Sequence, residues 1–111
     1  MRAEWQPTPC RACFHTLSLF WTAPAQPNAA AELIAGANHY LKSIPGVLQF
    51  HVGKIVRSHH PVVDRSCQVA LNLTFPDKQA QHDYQVHPLH VEFAEKVFKR
   101  VCQKVAVYVF E

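Results

Sequence analysis

The residues best suited to chemistry stand close together late in the chain: Tyr84, His87 and His90, gathered around Pro88. A phenol can donate a hydrogen bond to a growing oxyanion, and a neutral imidazole can take a proton. Pro88 has no N–H to lose and a preset φ, so it suits the first position of a helix. Counted from there, His90, Phe93, Ala94, Val97 and Val101 fall on one helical face. His90 thus heads an apolar stripe in the first turn, where the helix dipole is positive. That field and burial both disfavour the imidazolium, which leaves a neutral ring able to accept a proton at neutral pH. The same position also suits a hydrogen-bonded core histidine with no chemistry. His87 and His90 together supply only two ligands, and Pro88 between them already has a structural purpose, so no metal site is expected.

The four cysteines offer less. Cys10 and Cys13 form a C-x-x-C, but Cys67 and Cys102 are isolated, which leaves zinc short of a tetrahedral set. A thioredoxin-like motif would open a helix after a strand, whereas this pair precedes a strand. Residues 1–13, with Pro7 and Pro9, read as an N-terminal extension carrying two thiols outside a domain spanning 14–111. His59 and His60 are adjacent in a turn-rich loop and cannot easily face one ion, so they read as solvated.

The elements that must position Tyr84 and His90 follow from periodicity. Phe14 to Trp21 alternates as a strand, with His15, Leu17, Leu19 and Trp21 forming the more uniformly apolar side. Pro24 and Pro27 stop it, and Asn28 is placed to cap a helix over Ala29 to Ile44. That helix buries Ala30, Leu33, Ile34, Ala37, Leu41 and Ile44, and Pro45-Gly46 ends it. Val47 to Val56 and Cys67 to Phe75 read as two further strands; in the second, Cys67, Val69, Leu71, Leu73 and Phe75 share a face. Asp77 caps a short helix that turns Tyr84 inward. The main second helix runs from Pro88 to about Cys102, and Lys104 to Phe110 closes the chain as a strand. The order βαββαβ predicts an α+β, ferredoxin-like fold, a four-stranded antiparallel sheet with two helices on one face. Both sheet faces carry large apolar groups, so a second copy packed sheet to sheet is expected, closing towards a dimeric α/β barrel.

Size and charge exclude several classes. A chain of 111 residues with 49% hydrophobic and 17% charged residues is one small globular domain. The net charge is +3 and no basic run exceeds Lys99-Arg100, so no nucleic-acid partner is expected. No apolar stretch nears the ~20 residues of a membrane helix, and no secretory signal precedes the domain, which makes the cytoplasm the default location.

Ile44-Pro45-Gly46-Val47, the Thr74-Phe75 strand end and the run Tyr84-Gln85-Val86-His87-Pro88-Leu89-His90-Val91-Glu92-Phe93 together resemble the stress-responsive α/β-barrel (Dabb) family. The resemblance covers roughly His15 to Phe110. It implies the dimeric α+β barrel fold, no cofactor, and, from a plant branch of polyketide cyclases, a tyrosine and a histidine acting in ring closure. Those two residues correspond to Tyr84 and His90 here, and His15 resembles a pocket position. The pocket so implied is walled by His15, Leu17 and Leu19 of the first strand, Leu33, Ile34, Ala37 and Leu41 of the first helix, Val69 and Leu71 of the third strand, and Phe93. Two departures stand out. Gln68-Val69 replaces a Thr-His pair common on the third strand, and Ala37 stands where a cyclase-like pocket has an aromatic ring.

The expectation is therefore a homodimer that binds a small apolar ligand or is purely structural. The alternative is a cofactor-free cyclase, lyase or isomerase acting on a carbonyl compound, with His90 as base and Tyr84 as donor; a cofactor-independent monooxygenase is a variant suggested by fold analogy alone.

Overall fold

The computed structural model describes residues 13–56, 60–61 and 66–111. The C-x-x-C reading, most of the extension and His59 lie outside the described residues. Cys13, counted above with the extension, is buried.

Four strands form one sheet: β1 (Phe14–Thr22), β2 (Gln49–Lys54), β3 (Val69–Phe75) and β4 (Cys102–Phe110), in the spatial order β2-β3-β1-β4. Every pairing is antiparallel. Among the described residues, three helices pack against the sheet: α1 (residues 29–41), α2 (Lys78–Val86) and α3 (residues 88–101). This is the ferredoxin-like α+β arrangement expected from the order of the elements. The last turn of α1, Ala37–Leu41, and the middle of α3, Ala94–Phe98, are wound as π-helix, the wider turn that often sits beside functional sites.

The core lies between the sheet and the helices. Val69, Leu71, Leu73 and Phe75 of β3 are at most 2% exposed and meet Leu33 and Leu41 of α1 and Phe93, Val97 and Val101 of α3. Side chains of this size contribute about 1.5–3 kcal/mol each when fully buried. Helices α1 and α3 pack tightly at Gly36, where an added Cβ would stand 2.8 and 2.9 Å from the two Val97 methyl groups. Past the end of α1, Gly46 takes φ +93, a conformation that costs glycine little and any β-carbon-bearing residue more.

Three expectations need correction. Asn28 precedes α1 but makes no side-chain cap bond; its carbonyl accepts the Glu32 N–H instead. The helix ends at Leu41 rather than Ile44 because Pro45 bars the helical conformation just before it and Gly46 turns the chain. Most consequentially, the two faces of β1 are reversed. Register sets Thr16, Ser18 and Phe20 opposite Leu73, Leu71 and Val69, on the helix side. His15, Leu17 and Leu19 lie opposite Thr74, Asn72 and Ala70, on the outer side. Both faces of β1 carry apolar residues, so alternation alone does not say which one the helices cover; the pairing with β3 decides. The same register puts Val105 and Val107 of β4 on the helix side and Ala106, Tyr108 and Phe110 on the outer side.

Candidate functional site

Two helix ends place the chemistry. Asp77 is extended (φ −160, ψ 177) and its carboxylate accepts the Ala80 N–H at 2.8 Å, which starts α2 and sets the angle of Tyr84 two turns later. His87 leaves the helical region (φ −64, ψ 140), as the residue before a proline must, and breaks α2 from α3. Its Nδ1 then accepts the Leu89 N–H at 3.1 Å and caps α3. That contact requires an Nδ1 without a proton and gives His87 a structural role. With Pro88 as the first residue of α3, His90 comes round to face Tyr84. The Tyr84 ring rests on Phe75 at 5.2 Å and meets the His90 ring edge-on at 4.9 Å.

Both rings border a cavity of about 290 Å³ between sheet and helices. Its floor is Thr16, Ser18 and Phe20 of β1, Leu71 of β3, and Val105 and Val107 of β4. Its roof is Leu41, Phe93, Ala94 and Phe98, with Gln81, Gln85, Tyr84 and His90 closing one side. No Lys, Arg, Asp or Glu is among the described residues that line it. An engineered apolar cavity of ~150 Å³ admits benzene, so this space suits a molecule of roughly a dozen non-hydrogen atoms.

Six polar side chains line this cavity: Thr16, Ser18, Gln81, Tyr84, Gln85 and His90. Thr16, Ser18, Gln81 and Tyr84 are buried, between 4% and 9% exposed, whereas His90 is half-buried and Gln85 exposed. None of the six side chains makes a hydrogen bond to another described residue. Buried hydroxyls, amides and imidazoles are normally paired, since an unpaired one costs about 1–3 kcal/mol. These groups must find their partners in whatever fills the cavity. Burial shapes their protonation as well. It lowers the His90 pKa, so the ring is neutral at neutral pH, and it pushes the Tyr84 phenol well above its usual range, so the hydroxyl keeps its proton. A neutral imidazole beside a protonated phenol, both facing the cavity, can accept a proton from a guest while a hydrogen bond steadies the resulting oxyanion.

Of the residues named from sequence, the structure brings Tyr84, His90, Leu41, Leu71 and Phe93 together at the cavity. Leu33, Ala37 and Val69 are buried in the core, and Ile34 is partly buried against it, but none lines the cavity. His15, Leu17 and Leu19 are on the far face of the sheet. There His15 Nδ1 lies 3.1 Å from Thr74 Oγ1 and its ring stacks on Phe110 at 5.3 Å. Sequence reading missed Thr16, Ser18, Phe20, Gln81, Gln85, Ala94, Phe98, Val105 and Val107 as lining residues. The available signal was a polar pair at alternate positions of a strand whose neighbour, β3, is apolar along its buried side.

Solved structures with the same fold include a dimeric ferredoxin-like protein of unknown function from Thermobifida fusca (14% identity, TM-score 0.73, covering 90% of this chain and 92% of that one). Another is At3g17210 from Arabidopsis thaliana (29% identity, TM-score 0.69, covering 89% and 93%). A third is the hydroxynitrile lyase from Passiflora edulis (18% identity, TM-score 0.70, covering 89% and 92%). Comparison with curated proteins finds no match. The strand order, the helix pair joined at His87-Pro88 and a match of residues 14–111 to the Stress responsive A/B Barrel Domain model agree, and the chain belongs to the Dabb family.

Proposed function

We propose that this protein is a homodimer that takes a small, largely apolar, oxygen-bearing molecule into the cavity of each protomer. The observation that carries the reading is the set of buried polar side chains facing an apolar cavity with no partner among the described residues. A space meant only as packing would be filled by Phe93 and Leu41; here both stop at its roof. The dimer has separate support. The outer sheet face carries Leu17, Leu19 and Trp21, with Tyr108 57% and Phe110 50% exposed, more apolar surface than a lone sheet keeps in water. The Thermobifida protein is described as dimeric. Sheet packed on sheet covers this face and leaves the helix side free to admit the guest.

The contact between Tyr84 and His90 favours a second reading, that the guest is also a substrate. His90 would take a proton from the carbon beside a carbonyl while Tyr84 hydrogen-bonds the enolate oxygen, the core step of cofactor-free lyases, cyclases and isomerases. The Passiflora protein is named as a lyase, but at 18% identity its likeness carries the fold alone.

Calorimetric titration with aryl ketones tests the first reading: micromolar to millimolar binding by wild type, weakened in His90→Ala, supports it, and no heat with either rejects it. Exchange of the α-hydrogens of butyrophenone in deuterated water, followed by NMR, tests the second. Acceleration by wild type that His90→Ala abolishes supports His90 as base, while equal rates for both leave a binder without catalysis. Sedimentation at micromolar concentration decides the dimer, and monomer alone would exclude it.

A further inference from the structure

The polar groups of the cavity are not scattered. Tyr84 packs on Phe75, which pairs with Phe14 at one end of β1, whereas Phe98 packs on Phe20 at 6.1 Å towards the other. Thr16 and Phe20 are four residues apart on one face of β1, which in a strand is about 13 Å. Thr16 therefore belongs to the Tyr84 end, Ser18 to the middle, and Phe20, Phe98 and Val105 to an apolar end. From this gradient we infer that Thr16, Ser18 and Gln81 determine specificity: with Tyr84 and His90 they select an uncharged guest that carries two or more oxygen functions at one end and a hydrocarbon or aryl body at the other. The inference rests on the binding reading above and deepens it.

Two arguments support it. The first is a count. A carbonyl oxygen accepts two hydrogen bonds. Thr16, Ser18 and Tyr84 each bring a hydroxyl that both donates and accepts, Gln81 brings an amide with two donors and an acceptor, and His90 brings one of each when neutral. A lone ketone satisfies at most two of these groups, so the remainder need further oxygen atoms or trapped water. The second is charge. The lining holds no Lys or Arg to balance a carboxylate or phosphate, and burying an unpaired anion costs far more than burying a neutral oxygen.

The test uses three probes of similar size: 2,6-dihydroxyacetophenone, with three oxygens on one side of its ring; butyrophenone, with one; and the anion phenylbutyrate. Affinities are measured by calorimetry for wild type, for Thr16→Val with Ser18→Ala, and for Gln81→Leu. Thr16→Val keeps the shape while removing the hydroxyl. Wild type is expected to bind 2,6-dihydroxyacetophenone about tenfold more tightly than butyrophenone, the worth of two ordinary neutral hydrogen bonds, and phenylbutyrate more weakly than either ketone. In each variant that preference should shrink several-fold, because 2,6-dihydroxyacetophenone loses more affinity than butyrophenone does. If the double variant melts below the working temperature, Ser18→Ala alone carries the comparison. Both ketones binding wild type equally, the preference surviving in the variants, or phenylbutyrate binding best would overturn this inference and leave the binding reading standing. Neither ketone binding wild type would overturn both.

Discussion

Replacing Tyr84 by Phe should make the protein more stable. The change deletes one hydroxyl and keeps the ring, so the contacts with Phe75 at 5.2 Å and His90 at 4.9 Å survive. The hydroxyl is on a side chain only 6% exposed and has no hydrogen-bond partner among the described residues. Removing a paired hydroxyl from a core costs about 1 kcal/mol, whereas removing an unsatisfied one recovers part of a desolvation penalty of about 1–3 kcal/mol. Water entering the cavity reduces that penalty, so a gain of about 1 kcal/mol is the reasonable magnitude. For 111 residues the unfolding entropy is about 0.23 kcal/mol/K, so Tm should rise by about 4 °C. The assay is thermal unfolding at fixed protein concentration, because any self-association makes Tm concentration-dependent. The same variant should bind ketones more weakly, and gain of stability with loss of function marks a residue kept for its site rather than its packing. A Tm that falls by several degrees would show that the hydroxyl is satisfied inside the protein and that the reasoning about unpartnered groups is wrong.

Other expectations follow from the same coordinates. Burial lowers the His90 pKa below its ordinary 6.5, so below that pH the unfolded chain binds a proton that the folded one resists. Stability should therefore fall as pH drops through 6.5 towards the folded value, and His90→Gln should remove this part of the slope in urea titrations from neutral pH to pH 5. Gly36→Ala should destabilise by about 1 kcal/mol net, since the clash with both Val97 methyl groups outweighs the helix-propensity gain of about 1 kcal/mol; the Val97 Cβ, at 3.3 Å, leaves rotation no relief. Asp77→Ala should cost about 1 kcal/mol by freeing the Ala80 N–H, and should loosen Tyr84, which α2 carries. Phe75→Ala, at a fully buried site, should cost about 3–5 kcal/mol in denaturant unfolding.

Much of the fold was legible because strong local signals agreed with it. The alternation of β3 predicted its buried side correctly, Asp77 caps α2 as its type suggests, and Pro88 opens α3 and brings His90 round to Tyr84. The faces of β1 were not legible. Leu17, Leu19 and Trp21 look like core when read alone, but they lie on the outer face of the sheet, away from the helices. Thr16 and Ser18 look like the wet side, yet they are 4% and 8% exposed because they face a cavity. Periodicity reports how apolar a face is and is silent about what covers it. The site was half legible for the same reason. Its catalytic-type pair lies within seven residues of sequence, whereas its floor is assembled by strand pairing between residues far apart, as Ser18 is from Leu71.

A crystal structure of the protein grown with 2,6-dihydroxyacetophenone tests the central claim most directly. The ketone should lie in the cavity with oxygen atoms within hydrogen-bond distance of Tyr84, His90 and the Thr16 or Ser18 hydroxyl, and with its ring towards Phe20 and Phe98. Phe93 and Leu41 swung down to fill the space, with no ketone in it at saturating concentration, would contradict it.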